Sequence, residues 1–176
     1  MRIKRLRLSL LVGLLVALLG AWLWLVWLAG SYEEVPYSLI EQGLYLGPYV
    51  SNPPPKTRAV VNLGEEKDPY QVENCLWEPI RDAPPAPRIE WLQRTVEFIA
   101  AQRQEGLTVY VHCTAGISRS GMVSAAYLMY EHSWSRDEAL RFVRQKRPQV
   151  RPNSAFMQLL TEWEQVLREP ATVGGG

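Results

Sequence analysis

The order of apolar and polar residues predicts one long N-terminal helix, followed by a domain of short strands and helices. Residues 8–32 form an uncharged run of 25 residues rich in Leu, Val, Ala and Trp. At about 1.5 Å per residue, some 20 of them would cross a hydrocarbon core of roughly 30 Å. Aromatic residues, which favour the membrane interface, gather at its distal end: Trp22, Trp24, Trp27 and Tyr32. We therefore predict a transmembrane helix over residues 8–30.

A buried core helix and a cleaved signal peptide are the two other interpretations of this apolar run. A helix that is apolar on every side and this long exceeds what one small domain can cover, which argues against a core helix. A cleaved signal peptide is the stronger alternative, because Ala29, Gly30 and Ser31 form an acceptable cleavage site. The apolar part of a signal peptide is usually only about 7–15 residues, so we expect a retained anchor.

Beyond the apolar run, strand patterns come first and helix patterns follow. Short runs of β-branched and apolar residues predict strands at 43–50, 59–63, 75–80 and 108–113, with three prolines at 53–55 between the first two. Helical spacing of apolar residues predicts a helix from Ile89 through Ile99 that ends before Gly106. Further helices are predicted over 119–131, over 136–146 behind a capping box at Ser135, and after a cap at Asn153.

These elements predict an α/β domain with a small central sheet flanked by helices. The predicted organisation is a basic arm at 1–7, the transmembrane helix at 8–30, a linker at 31–42, a catalytic domain at 43–168 and a disordered tail at 169–176. No internal repeat is found in the sequence.

The net charge of +1 conceals an uneven distribution of charge along the chain. Four of the 19 basic residues lie within the first seven positions, and all 18 acidic residues lie at Glu33 or beyond. The positive-inside rule therefore predicts a cytoplasmic N-terminus with the domain on the far side of the membrane. The domain itself has no basic stripe, which argues against nucleic-acid binding.

The stretch from His112 to Gly121, HCTAGISRSG, carries the candidate chemistry. It follows a predicted strand and opens a predicted helix, so backbone N–H groups and the helix N-terminus converge on an anion site there. Gly116 lets the backbone approach a ligand closely, and the planar guanidinium of Arg119 matches two phosphate oxygens. A thiol at the floor of such a loop, Cys113, ionises easily and can attack phosphorus.

The pattern H-C-x-x-G-x-x-R-S resembles the signature of cysteine-dependent protein tyrosine phosphatases, and its spelling here resembles the dual-specificity branch. The resemblance covers about residues 43–168 and implies a protein tyrosine phosphatase-like mixed sheet. It implies that Cys113 is the nucleophile, Arg119 the phosphate clamp, and Ser120 the hydroxyl that assists thiolate departure. It also implies that His112 orients the loop. The phosphate would bind the backbone of Thr114, Ala115, Gly116, Ile117, Ser118 and Arg119.

Two aspartates are placed to supply a proton to the leaving oxygen. Asp82 follows a predicted strand, 31 residues before Cys113, where the family carries its general acid. Asp68, next to Pro69, is interpreted as a turn residue and kept as the alternative acid. Asn153 matches the late asparagine that braces the phosphate loop in the family, although it could equally be a plain helix cap.

The resemblance implies a membrane-anchored phosphatase that forms a phosphocysteine intermediate on phosphoproteins, without metal or other cofactor. Related lipid phosphatases, including the phosphatidylglycerophosphate type, carry Lys or Arg inside the loop, whereas the variable positions here are neutral. A lipid substrate and a catalytically weak phospho-binding module remain the alternatives. Cys75 is predicted to be a buried inert thiol, or alternatively a redox partner of Cys113. The sequence does not indicate an oligomeric state.

Overall fold

The computed structural model describes residues 16–25 and 36–169. Residues 16–25 are helical (α1), and every one of their side chains is exposed. Among the described residues, no helix is both long and apolar enough to cross a membrane. The rest of the predicted span (8–15 and 26–30), the basic arm and residues 170–176 of the predicted tail lie outside the described residues.

The domain is built around a five-stranded mixed sheet. Its strands are β1 (Ser38–Glu41), β2 (Leu44–Pro48), β3 (Thr57–Asn62), β4 (Asn74–Trp77) and β5 (Thr108–Cys113). Their spatial order is β1-β2-β5-β3-β4. The β1–β2 pair is antiparallel, whereas β5 runs parallel to both β2 and β3, and β3 runs parallel to β4. The carboxyl end of β5 therefore lies at the middle of the sheet, where α/β proteins place ligands.

Four helices complete the domain: α2 (Ile89–Gln104), α3 (Arg119–His132), α4 (Arg136–Lys146) and α5 (Ser154–Arg168). Helix α3 is buried at every position from Arg119 to Met129, because it packs against α2, α4, α5 and the sheet. Small residues such as Gly121 allow this close packing, since a Cβ there would lie 2.6 Å from Val150 Cγ1. Helix α3, which follows the loop after β5, therefore lies at the centre of the domain, and its neighbours fix its position.

The two faces of the sheet differ because strand side chains alternate. Val109, Val111 and Cys113 of β5 belong to the hydrophobic core that the helices cover. Tyr110 and His112 point to the opposite face and stack on each other, with ring centroids 5.0 Å apart. The side chains of His112 and Cys113 therefore lie on opposite faces of the sheet.

The strands and helices predicted for the domain are found, most of them with shifted ends, together with one strand that the hydrophobic pattern did not reveal. Helix α4 has the predicted bounds, and both halves of the Ser135 capping box are present. The strand predicted at 43–50 is shorter, and the one predicted at 75–80 ends at Trp77. Strand β1 lies inside the segment predicted as linker, so the sheet begins before residue 43.

Candidate active site

The loop between β5 and α3 presents its backbone donors to one centre. The outer contacts hold three carbonyl oxygens away from that centre: Thr114 O accepts from Tyr49 N (3.3 Å), Gly116 O from Arg147 Nε (2.7 Å) and Ile117 O from Arg151 N (3.0 Å). Among residues 36–169, no protein acceptor is found for the N–H groups of Thr114, Ala115, Ile117, Ser118 and Arg119. Five free N–H groups at a helix N-terminus make an anion site.

Cys113 lies at the floor of this loop with 2% of its surface exposed. Its Sγ accepts a hydrogen bond from Gly116 N at 3.3 Å and lies 3.4 Å from Ser120 Oγ. Burial acts to raise the pKa of the thiol, but hydrogen bonds from Ser120 and Gly116 and the charge of Arg119 outweigh it. The pKa of Cys113 is therefore lowered from its ordinary value. A thiolate is the reactive form of cysteine, so this environment favours nucleophilic attack.

Arg119 is the first residue of α3 and is 8% exposed. Nη1 donates to the carbonyl oxygens of Leu63 (3.2 Å) and Ile80 (3.1 Å), and Nη2 donates to Thr114 Oγ1 (2.9 Å). Its buried Nε has no partner among the described residues. The two carbonyl oxygens thus hold one side of the guanidinium in place, and Nε is left as a donor for an anion in the loop.

Asp82 lies in the exposed segment between β4 and α2, and two side chains hold it beside the loop. Its Oδ1 accepts from Ser118 Oγ at 2.6 Å and from Asn153 Nδ2 at 2.8 Å. Asn153 also caps α5, since its Oδ1 accepts from Phe156 N at 3.0 Å, and its own N–H donates to Ser118 Oγ at 3.2 Å. One asparagine therefore serves as helix cap, loop contact and support for Asp82.

The alternative acid, Asp68, lies elsewhere. Its Oδ1 is buried 3.0 Å from His112 Nε2, at the distance of an ion pair but without the alignment of a hydrogen bond. Asp68 thus contacts His112, whose side chain points to the face of the sheet opposite Cys113, whereas Asp82 contacts Ser118 of the loop itself. This contact was not visible in the sequence, and it makes Asp82 the better candidate for the acid.

The structure changes two interpretations of single residues. Gly116 has φ +67°, and a Cβ there would lie 2.3 Å from Gly47 C, so the neighbouring strand, as well as a ligand, requires glycine. Cys75 was predicted to be buried, but it is exposed. Its pKa is raised, chiefly by partial desolvation and then by Asp68, which makes it a poor nucleophile.

Cys75 is also badly placed to pair with Cys113. It is in register with Val60 of β3, which is in register with Tyr110 of β5. Two strand spacings of about 4.8 Å and three residues of about 3.3 Å separate the two Cα atoms by roughly 14 Å. A disulfide needs Cα atoms less than about 7 Å apart, so the two cysteines cannot pair without backbone movement.

Comparison with known proteins agrees with this geometry. A family model described as "Dual specificity phosphatase, catalytic domain" matches residues 44–166. Human dual specificity protein phosphatase 8 is 39% identical over 97 residues, which are 55% of this chain and 16% of that protein. The chain therefore matches only a small part of that relative's length.

Two solved structures extend the comparison to nearly the whole domain. A mouse putative dual specificity phosphatase complexed with zinc tungstate has a TM-score of 0.72 and 26% identity, covering 78% of this chain and 93% of that one. PTPMT1 in complex with PI(5)P has a TM-score of 0.66 and 25% identity, covering 76% and 97%. The chain thus shares a fold, over more than three quarters of its length, with two proteins whose structures hold different ligands, zinc tungstate and PI(5)P.

Proposed function

The chain belongs to the dual specificity phosphatase family, and we propose that it hydrolyses phosphomonoesters on proteins through a phosphocysteine intermediate. The observation that carries the proposal is the position of the Cys113 thiol. It lies buried at the floor of a loop with unpartnered N–H groups, beside a fixed guanidinium whose Nε is free. Such a site binds a phosphate dianion and presents a nucleophile to its phosphorus atom.

In the first step, Cys113 Sγ attacks phosphorus and the bond from phosphorus to the ester oxygen breaks. Asp82 gives its carboxyl proton to the departing oxygen, and a covalent S–P bond forms. Because both hydrogen bonds to Asp82 end on Oδ1, Oδ2 is the oxygen left to carry that proton. The N–H groups of the loop and Arg119 stabilise the charge on the transferred phosphoryl group.

In the second step, a water molecule attacks phosphorus while the Asp82 carboxylate accepts its proton. The S–P bond breaks, inorganic phosphate is released and Cys113 returns as a thiolate. Ser120 Oγ, 3.4 Å from the sulfur, stabilises the departing thiolate by a hydrogen bond. Arg119 and the N–H groups provide the positive potential, so the proposed reaction requires no metal ion.

A phosphoprotein substrate is favoured over a polyanionic lipid by the charges around the site. A cavity of about 340 Å³ bordered by Cys113 and Thr114 is also lined by Glu65 and Glu66. These carboxylates repel additional phosphate groups, and the variable positions of the loop carry no cation of their own. The similarity to PTPMT1, whose structure contains PI(5)P, supports a lipid phosphatase as the second candidate.

We also propose that residues 8–30 anchor the enzyme in a membrane. The apolar side chains of residues 16–25 are exposed, with Trp22 and Trp24 each 62% accessible, and an apolar environment would cover them. The charge distribution supports a cytoplasmic N-terminus with the catalytic domain on the opposite side. Protease added to intact cells should then digest the domain, whereas protection until lysis would place it in the cytosol.

The activity itself is tested with the full chain in detergent. Release of phosphate is measured from a phosphotyrosine peptide, a phosphoserine peptide and a phosphoinositide in the presence of EDTA. Turnover of the peptides above the lipid supports the proposal, and the reverse order supports the lipid alternative. Binding of the peptides without any turnover, also with a generic aryl phosphate, would indicate a phospho-binding module.

A further inference from the structure

A second arginine, Arg147, contacts the phosphate loop from its outer side. Arg147 directly follows α4 and is 5% exposed. Its Nε donates to Gly116 O at 2.7 Å, and its Nη1 donates to Pro36 O at 2.8 Å and contacts Ser38 Oγ at 3.4 Å. One planar group therefore connects the loop to the start of the domain's first strand.

The contact with Gly116 O fixes the direction of the next N–H group. In a trans peptide the C=O of one residue and the N–H of the next point in opposite directions. Holding Gly116 O outward therefore aims Ile117 N–H into the loop. This constraint matters because Gly116, at φ +67°, lies in a region that glycine enters and leaves with little cost.

The positive charge of Arg147 also has no carboxylate partner among the described residues. Among residues 36–169, no carboxylate lies within ion-pair distance of its guanidinium. Burial lowers the pKa of Arg147, while the anionic forms of Tyr110 and Cys113 act in the opposite direction. A buried cation without a carboxylate is costly unless an anion lies nearby, and in the proposed mechanism the loop holds both the thiolate and the phosphate.

We propose that Arg147 is a positioning residue for phosphate binding, which aims the Ile117 N–H at the anion and adds a second positive charge behind the loop. The inference rests on the proposed phosphatase function, since it concerns the same site. Arg147 does not touch the substrate in this arrangement; it acts through the Gly116–Ile117 peptide and through its charge.

The test compares two variants with a matched control in the full chain in detergent. Arg147→Met removes the donors and the charge, and Arg147→Lys keeps the charge but offers a single ammonium. The control is Arg144→Met: Arg144 is an exposed arginine of α4 whose Nε donates to a carbonyl outside the loop, Val150 O, at 3.1 Å. Melting curves establish that each variant is folded.

Two readouts are independent of turnover. Alkylation of Cys113 by iodoacetate, followed by mass spectrometry across a pH series, reports thiolate formation, and protection by vanadate reports anion affinity. Arg147→Met should weaken vanadate roughly ten- to hundredfold, the effect of losing a hydrogen bond and a charge, and should shift alkylation to higher pH. Arg147→Lys should restore the alkylation profile but recover vanadate affinity only in part, and Arg144→Met should match the wild type.

Wild-type vanadate affinity in folded Arg147→Met would overturn the proposal. If that variant does not fold, Arg147→Lys decides: reduced vanadate affinity with an unchanged alkylation profile supports the proposal, and wild-type affinity overturns it. A wild-type chain that binds vanadate but turns over no phosphoester would refute the proposed activity alone, because the protection assay still measures the effect of Arg147.

Discussion

The support of Asp82 by Asn153 can be removed without removing the helix cap. Asn153 uses its Nδ2 to hold Asp82 Oδ1 (2.8 Å) and its Oδ1 to cap α5 through Phe156 N (3.0 Å). In Asn153→Ser, the hydroxyl retains the capping acceptor, since serine is as good an N-cap as asparagine. The shorter side chain no longer reaches Asp82. The substitution therefore isolates the positioning of the proposed acid.

The size of the effect follows from the remaining contacts. A hydrogen bond to a charged group contributes about 1.5–3 kcal/mol, but Asp82 is exposed, so water replaces part of the loss. Ser118 Oγ also remains 2.6 Å from the same oxygen. We therefore expect about 1–1.4 kcal/mol, a roughly five- to tenfold decrease in kcat. Removing the acid altogether, in Asp82→Asn, should cost about 10²–10⁴-fold.

The assay compares leaving groups of different basicity. With phenyl phosphate, whose leaving oxygen needs a proton, Asn153→Ser should show the full five- to tenfold loss. With nitrophenyl phosphate, whose leaving group departs as an anion, the loss should be small. As a control, Asn153→Ala loses the cap as well, which should lower the free energy of unfolding by about 1 kcal/mol. Two results would refute this role of Asn153. One is an equal loss of kcat with both substrates in Asn153→Ser, and the other is an unchanged kcat in Asn153→Ser with a substrate on which Asp82→Asn is impaired.

Four further outcomes are expected. Cys113→Ser should abolish turnover while a phosphopeptide still binds in equilibrium titration; activity above a hundredth of wild type would require another nucleophile. Ser120→Ala removes hydrogen bonding that lowers the pKa of Cys113, so the pH at which iodoacetate alkylation reaches half its maximum should rise; an unchanged profile would contradict that contribution. Gly116→Ala should lower Tm and vanadate affinity together, because its Cβ would collide with Gly47. EDTA should leave the rate unchanged and vanadate should suppress it; loss of activity on chelation would indicate metal chemistry.

The elements that the sequence predicted well are those with local signals. The capping box at Ser135 fixes the start of α4 through contacts within four residues, and the cap at Asn153 does the same for α5. Strand β1 had no such signal: it is four residues long, and Leu39 is 49% exposed while Ile40 is buried. Its position depends on pairing with β2, which a hydrophobic pattern this short does not specify.

The same distinction applies to the site. Cys113, Arg119 and Ser120 lie within eight consecutive residues, so the loop itself was evident in the sequence. The contact of Arg147 with Gly116 spans 31 positions, and that of Asp82 with Asn153 spans 71. Such contacts depend on the packing of α4 and α5 against the loop, and no local pattern indicates them.

The short connection between α4 and α5 holds the phosphate loop and the proposed acid at the same time. Arg147 and the N–H of Arg151 bind the carbonyls of Gly116 and Ile117, and Asn153 binds both Ser118 and Asp82. Proline at positions 148 and 152 restricts the backbone between these contacts. The same short segment positions both the loop that carries Cys113 and the proposed acid, Asp82. Their relative geometry is therefore set before phosphate binds. Less reorganisation is then required on the way to the transition state, which is how a fixed arrangement of groups lowers a barrier.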